Sequence, residues 1–206
     1  MQRQIIAGVT GSRADFGIQK PVLDAILAEP GFVLDLYVTG MHLSSRFGNT
    51  VEEVEAAGFE IAGRIDCETT GGSHEEVALS TSAGMAGFTK AWSLKRPDLV
   101  LLLGDRFETF AAASAAYLLN IPIAHIAGGD VTSGSLDDGL RHAISKFSSL
   151  HFTTNEEASA RLVRMGEDPA TVHTTGTPAL DSIRSLELLS RDEVERRVGV
   201  PLGKHL

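Results

Sequence analysis

Cysteine and long apolar runs are almost missing from this sequence of 206 residues, and each absence excludes a class of protein. The single cysteine, Cys67, cannot form a disulfide within the chain. No apolar run approaches the roughly 18 residues of a membrane span. The first residues, Met1 to Gln4, lead directly into a strand-like segment without the apolar core of a signal peptide. We therefore expect a soluble, cytoplasmic protein with no membrane partner.

Positive charge is also scarce: 18 lysines and arginines stand against 27 aspartates and glutamates, which gives a formal net charge of -9. Nucleic acid and anionic membrane surfaces would repel such a chain, so we expect no nucleic-acid partner. A local basic pocket remains compatible with a small phosphate ester. The hydrophobic content of 43% is sufficient for a sizeable core.

Common cofactor and nucleophile motifs are missing as well. The sequence has neither the Gly-x-Gly-x-x-Gly fingerprint of dinucleotide binding nor a phosphate-binding Walker loop. It has no Gly-x-Ser-x-Gly nucleophile turn. The scattered histidines and the lone cysteine do not have the spacing of zinc or calcium ligands, so we expect no metal. General acid–base chemistry by carboxylates on a phosphate-bearing small molecule is what remains.

Short apolar runs rich in β-branched residues alternate with longer amphipathic stretches, which predicts an α/β fold. The predicted strands are 5–9, 33–38, a weak 60–65, 99–103, 121–126, 150–153 and 171–175. The predicted helices are 15–27, 80–94, 107–118, 136–147, 156–165, 179–189 and 191–198, the last with Ser190 as its N-cap. Right-handed crossovers then give a Rossmann-like parallel sheet with helices on both faces.

The polar, glycine-containing segment 58–74 predicts a loop that is disordered or closes over a ligand. After Pro178 the pattern changes to helical segments without a further strand. We therefore divide the chain into a Rossmann-like domain, 1–178, and a helical hinge or tail, 179–206.

Two loops that follow the first two strands are candidates for ligand binding. Gly11 and Arg13 stand in the first strand-to-helix turn, where a glycine allows close approach and a helix start attracts anions. An ordinary tight turn with a solvated arginine explains them equally well. His42 follows the second strand, and its spacing favours a loop histidine bonded to backbone over a ligand contact.

The segment after the strand 99–103 carries Asp105, Arg106 and Glu108. Asp105 is predicted at the carboxyl edge of the sheet, where it is either an N-cap, a catalytic carboxylate or both. Arg106 and Glu108 fit a solvated pair of little energetic value equally well.

A glycine-rich loop, 128–134, leads to a helix that begins after the predicted cap Ser135. Asp137 and Arg141 are four residues apart, as are Asp138 and His142, so each pair shares one helix face. Acids that complement the helix dipole and pair with later cations explain this pattern, and a catalytic group explains it equally well.

Three motifs together resemble the UDP-N-acetylglucosamine 2-epimerases: GSRADFG at 11–17, GDRFE at 104–108 and GGDVTSGSLDDGLRHAISK at 128–146. The resemblance runs from about Ile5 to Ile183 and is strongest to the hydrolysing branch, which serves sialic acid and nonulosonate synthesis. It implies one half of a glycosyltransferase-B-like architecture, in which two Rossmann-like domains enclose the active site.

The resemblance implies a reaction without metal or redox cofactor. A base removes the proton at C2 of the sugar, UDP leaves from C1, and water adds to the resulting glycal. Asp105 matches the essential aspartate, Asp137 the acid at the helix start and Arg141 the arginine one turn later. The candidate residues are Asp105, Asp130, Asp137 and Arg141 for catalysis, and Gly11, Arg13, His42, Asp138 and His142 for substrate binding.

Two departures from the resemblance matter. Ala127 stands where several relatives have an acid, so that role is absent, moved to Asp130 or not needed for this substrate. The chain also ends where a second domain would begin, which implies weak or no turnover by these residues alone. Homo-oligomers are implied too. UDP-N,N′-diacetylbacillosamine as substrate, a non-catalytic sugar-nucleotide or partner-binding module, and a glycosyltransferase are the alternatives.

Overall fold

The computed structural model describes residues 3–67, 72–184, 186 and 188–201. Seven strands form one sheet in the order β3-β2-β1-β4-β5-β6-β7, and every neighbouring pair is parallel. The strands are β1 (Gln4–Thr10), β2 (Phe32–Thr39), β3 (Ile61–Ile65), β4 (Leu99–Leu103), β5 (Ile123–Ile126), β6 (Leu150–Thr153) and β7 (Val172–Thr174). The α/β prediction and the parallel sheet are confirmed.

Eight α-helices lie within the described residues and connect or follow these strands. They are α1 (Arg13–Ala28), α2 (Val51–Ala56), α3 (His74–Leu94), α4 (Phe107–Leu118), α5 (Leu136–Phe147), α6 (Glu156–Arg164), α7 (Pro178–Arg184) and α8 (Arg191–Val198). None of the helices in this described part of the chain is long and apolar enough to cross a bilayer.

Apolar side chains cover both faces of the sheet, as buried parallel strands require. On one face, α3 packs Phe88 and Trp92 against Tyr37 of β2, with Tyr37 and Trp92 in an edge-to-face contact. On the other face, α1 buries Leu23 against Leu36. The prediction of helices on both faces is therefore confirmed.

The helices differ most from the sequence prediction at three places. Helix α3 begins at His74 rather than Ser80, because Ser73 and Glu76 form a capping box. Helix α7 ends at Arg184 rather than Leu189. Helix α2 was not predicted, since six residues are too few for a periodic signal. Residues 68–71, in the middle of the predicted ligand-dependent loop, lie outside the described residues.

The strand order places a switch point between β1 and β4, because the chain runs outward from β1 to β3 and then from β4 to β7. Loops at the carboxyl ends of such strands diverge and leave a crevice. Helix α7 packs against α1, where the Ser182 hydroxyl donates to the Gly17 carbonyl at 2.7 Å. The residues around 178 therefore contact the first helix of the sheet domain.

The opposite rim, at the amino ends of the strands, is closed by its own polar contacts. The Ile5 N–H donates to Asp98 Oδ2 at 2.8 Å. The Arg96 guanidinium donates to the carbonyls of Leu119 and Asn120 at 2.8 and 2.7 Å. These contacts join the start of β1, the entry to β4 and the end of α4.

Three histidines are fully buried: His42 after β2, His125 on β5 and His151 on β6. Burial disfavours the charged imidazole, so it lowers the pKa of His42 and His151 and lowers that of His125 from 6.5 to about 4. The folded protein therefore holds His125 neutral over a range in which an unfolded chain would protonate it.

We predict that the protein loses stability as the pH falls from 6.5 towards 4. In that range the unfolded chain binds more protons, and His125 lowers the free energy of unfolding by about 1.4 kcal/mol per pH unit, to which His42 and His151 add in the same direction. For His125 the total is roughly 3 kcal/mol. Urea unfolding at several pH values should show a shallower dependence for His125→Gln than for the wild type. Parallel curves for the two proteins would contradict the prediction.

Candidate active site

The carboxyl edge of the sheet brings together the loops after β1, β4 and β5 and the first two turns of α5. The turn after β4 depends on Gly104, whose φ of +75° is left-handed and favours glycine. It turns the chain so that Asp105 and Arg106 follow the strand at the switch point. Asp105 was predicted at the carboxyl edge of the sheet, and the structure places it there.

Asp105 is paired with Arg141 across the junction between β4 and α5. Arg141 Nη2 donates to Asp105 Oδ2 in a short contact, and the two side chains are 11% and 19% exposed. Arg141 Nη1 also donates to Thr132 Oγ1 at 3.2 Å, which fixes the plane of the guanidinium. Burial lowers the pKa of Arg141. The pair is therefore a shielded ion pair with one edge towards solvent.

The structure excludes two alternatives that the sequence left open for these residues. Asp105 is not the N-cap of α4, because Arg106 occupies the cap position and makes no side-chain capping bond. Arg141 bonds to Asp105 rather than to Asp137 four residues earlier on its own helix. A tertiary partner that is itself shielded from water offers a stronger interaction than an exposed neighbour on the same helix.

Arg106 and Glu108 form a bidentate pair, which excludes the solvated pair that the sequence left open. Arg106 Nε and Nη2 donate to Glu108 Oε2 and Oε1 at 3.2 and 3.0 Å, and Glu108 is 1% exposed. Burial raises the pKa of Glu108, although Arg106 opposes the shift. Burial alone would lower the pKa of Arg106, but Glu108, then Asp15 and Asp137, raise it overall. Arg106 is thus surrounded by three carboxylates.

Asp137 lies exposed in the first turn of α5, and its charge contributes to the raised pKa of Arg106. Its backbone N–H donates to Ser135 Oγ at 3.1 Å, so the predicted cap at Ser135 is confirmed. Asp105 and Asp137 are therefore associated with Arg141 and Arg106, two arginines at the same edge of the sheet.

Asp138 and His142 form the other predicted pair on α5. His142 Nε2 lies 3.9 Å from Asp138 Oδ2, at the outer limit of an ion pair. Asp138 Oδ1 accepts from the Thr132 N–H at 2.7 Å and so holds the loop after β5 onto the helix. In this position Asp138 supports the loop that also supplies Thr132 to Arg141.

An open polar cleft of about 460 Å³ extends from Arg141 towards the start of α6. Asp130 lies on its wall and accepts from Thr154 Oγ1 at 2.7 Å. Arg161, which sequence reasoning missed, donates to the Gly129 carbonyl and to Glu157. Its spacing of four residues from Glu157 was the available signal. The cleft is lined by Asp130, Val131, Thr132, Arg141, Asn155, Glu157 and Arg161.

Arg13 and Gly11, in the turn after β1, differ in their exposure to solvent. Arg13 is 73% exposed, and its Nε lies 2.8 Å from Glu53 Oε2 on α2. Gly11 is buried, and a Cβ at this position would lie 3.6 Å from Asp15 Oδ2 and 3.7 Å from the Glu108 side chain. The groups that approach Gly11 closely are thus the protein's own carboxylates.

His42 lies beneath the surface rather than on it. It is 0% exposed, with Nε2 3.0 Å from Thr10 Oγ1 and Nδ1 2.8 Å from Thr50 Oγ1. Besides these two hydroxyls, backbone groups of Thr50 and Ser12 bond to the ring, as the spacing favoured. In this arrangement His42 connects the end of β1 with the start of α2.

Ala127 ends β5 in the left-handed conformation, with φ of +63°. The loop that follows therefore turns sharply towards the cleft. Within residues 3–67, 72–184, 186 and 188–201, no group of three or more His, Cys, Asp or Glu side chains is arranged to hold a metal ion.

The sheet order and the polar cleft beside the loops after β5 and β6 define a Rossmann-like α/β domain. The same fold forms about half of a solved UDP-N-acetylglucosamine 2-epimerase from Neisseria meningitidis, bound to its UDP-sugar. The two align with a TM-score of 0.81 and 20% sequence identity over 95% of this chain and 53% of that one.

Sequence comparison gives the family. The family model described as UDP-N-acetylglucosamine 2-epimerase matches residues 24–203. The UDP-N,N′-diacetylbacillosamine 2-epimerase (hydrolyzing) of Legionella pneumophila is 43% identical over 100% of this chain and 54% of its own length. The polysialic acid biosynthesis protein P7 of Escherichia coli is 38% identical over 96% and 50%. The chain belongs to the UDP-N-acetylglucosamine 2-epimerase family and spans about half the length of these curated relatives.

We predict that Gly40→Ala destabilises the protein more than Gly48→Ala. Both glycines are left-handed, with φ of +55° and +85°, so both substitutions should cost roughly 1–2 kcal/mol of backbone strain. At Gly40 the new Cβ would also lie 2.5 Å from Glu108 Oε1, which Arg106 holds in place, whereas Gly48 has open space. The steric conflict should add about 1–3 kcal/mol. Urea unfolding measures both, and equal losses would show that Glu108 is free to move.

Proposed function

We propose that this chain contributes the proton-transfer residues to the active site of a hydrolysing UDP-sugar 2-epimerase. The ion pair between Asp105 and Arg141, open to the cleft on one side, is the observation that carries the proposal. Membership of the epimerase family supports it. The reaction would convert a UDP-linked 2-acetamido sugar and water into UDP and the free 2-epimer.

The chemistry requires two proton-transfer groups, because inversion at C2 removes a proton from one face of the ring and returns one to the other. In the first half, a carboxylate takes the C2 proton, the C1–C2 double bond forms, and the C1–O electron pair leaves with UDP. In the second half, water adds to C1 and a carboxylic acid protonates C2. Asp105 and Asp137, on different elements around the two arginines, suit these two roles.

Positive charge near the cleft would stabilise the departing diphosphate. Arg141 has one face towards the cleft, and Arg161 lies further along the same wall. Arg141 would hold Asp105 in its charged form in the resting protein and interact with the leaving oxygen as charge develops. Asp130, on the same wall, is the proposed third polar contact to the sugar.

We assign the two groups of predicted binding residues differently. Asp138 and His142 would act by shaping the loop that carries Thr132, and Arg13 would contact the substrate from the exposed end of α1. The buried His42 and Gly11 would act through the residues they support.

The sugar is proposed to be UDP-N,N′-diacetylbacillosamine or UDP-N-acetylglucosamine. The 43% identity to a relative named for the first of these, over the whole of this chain, favours the diacetylated sugar. A second Rossmann-like domain that supplies most contacts to UDP, a homo-oligomer, a cytoplasmic location and the domain boundary near 178 stay predictions.

A non-catalytic binding module is the second candidate, and substrate turnover separates the two. We predict that Asp105→Asn lowers UDP release and deuterium incorporation at C2 by about 10²–10⁴-fold, because the amide cannot transfer the proton. UDP-sugar affinity, measured by calorimetry, should change only a few-fold. Both substrates are tested with the chain alone and with the chain joined to the second half of the Legionella relative.

Asp24→Asn, which alters an exposed carboxylate paired with Lys20 on α1, is the matched control and should leave turnover unchanged. Undiminished turnover by Asp105→Asn would remove the proton-transfer role. Binding without turnover in the wild-type fusion would favour the binding module instead.

A further inference from the structure

We propose that His125 is a positioning residue for the ion pair between Asp105 and Arg141, and that it sets the geometry of proton transfer without touching the substrate. This inference rests on the proposed function for its catalytic consequence. Its structural part concerns only the contacts beneath the site.

The imidazole of His125 connects the two elements that carry the ion pair. His125 Nε2 lies 2.7 Å from the carbonyl oxygen of Gly104, the residue before Asp105. His125 Nδ1 lies 3.1 Å from Ser145 Oγ, one helical turn after Arg141 on α5. One buried ring therefore bonds to the backbone next to Asp105 and to the helix that carries Arg141.

The hydrogen-bond roles follow from the chemistry of the partners. A carbonyl oxygen only accepts, so Nε2 carries the proton and donates to Gly104. Because burial keeps His125 neutral, Nδ1 is an acceptor and the Ser145 hydroxyl donates to it. The Ser145 hydroxyl also donates to the Arg141 carbonyl at 3.0 Å, so its one proton is shared between that carbonyl and His125 Nδ1. The tautomer with the proton on Nε2 is compatible with both contacts of the ring.

The packing around His125 leaves little freedom for the ring. The Gly104 N–H donates to the Ile126 carbonyl at 3.0 Å, so β5 holds both backbone polar groups of Gly104. A Cβ at Gly128 would lie 2.8 Å from both His125 Nδ1 and Ser145 Oγ. The loop after β5 therefore closes directly over the ring, and a shift of His125 would move Asp105 relative to Arg141.

His151 provides the matched comparison. It is the register partner of His125 on the neighbouring strand β6 and is equally 0% exposed. Its Nε2 faces Glu167 Oε2 at 3.3 Å rather than either element of the ion pair. A merely structural role for buried histidines would affect both residues alike, whereas positioning of the ion pair concerns His125 alone.

The test compares His125→Ala, His125→Gln, Ser145→Ala and His151→Ala in the 206-residue chain. NMR signals of the Asp105 carboxyl carbon and the Arg141 guanidinium nitrogens report the ion pair, independently of any turnover. We expect both signals to move in His125→Ala and to return in large part in His125→Gln, whose amide can donate to Gly104. Ser145→Ala, a smaller lesion, should move mainly the Arg141 signals, and His151→Ala should move neither.

Turnover is measured in the fusion with the second half of the Legionella relative. His125→Ala should lower kcat by about 10–100-fold with little change in KM, as loss of a supporting hydrogen bond typically does. His151→Ala should leave both constants unchanged. Unmoved Asp105 and Arg141 signals in folded His125 variants, or equal shifts in His151→Ala, would overturn the inference. Absence of turnover in the wild-type fusion would overturn the proposed function while the NMR result still decides the positioning claim.

Discussion

The buried carboxylate of Glu108 is the group on which the carboxyl edge of the sheet depends. It lies at the start of α4, beneath the turns that contain Gly11 and Gly40, and the guanidinium of Arg106 satisfies both of its oxygens. A charge in this position is stable only with a fully bonded partner. Because the turns after β1, β2 and β4 all meet at this carboxylate, the pair fixes where the surrounding side chains lie. The catalytic candidates are thus positioned by a buried carboxylate, Glu108, whose partner Arg106 keeps 35% of its side chain exposed.

The two arginines at this edge, Arg106 and Arg141, have different roles. Arg106 supports the carboxyl edge of the sheet, because its guanidinium interacts with Glu108, Asp15 and Asp137. Arg141 belongs to the cleft, where it contacts Asp105 and Thr132 and has a face towards solvent. A phosphate group that displaced Arg106 would leave the Glu108 carboxylate unpaired. A phosphate group that contacted Arg141 would leave the pair of Arg106 and Glu108 intact.

The sequence was sufficient to predict helices and strands, but it was insufficient to predict which distant side chains contact each other. Strand β4 and helices α4 and α5 were predicted at their observed bounds, because apolar periodicity and local caps such as Ser135 are encoded within a few residues. The partner of Arg141 was not, since Asp105 lies 36 residues away and the choice between it and Asp137 depends on burial. The burial of Glu108 was missed for the same reason: nothing in its immediate neighbours shows that three turns close over it.

The rim at the amino ends of the strands has a practical consequence for handling the protein. Its contacts, from Asp98 to Ile5 and from Arg96 to the end of α4, are made without any residue of the cleft. The full length of the strands separates the two rims. A fluorophore, affinity handle or surface tether attached to an exposed position such as Leu94 or Leu118 would lie at the rim opposite the cleft. Immobilised protein could in this way be presented to ligand in one orientation.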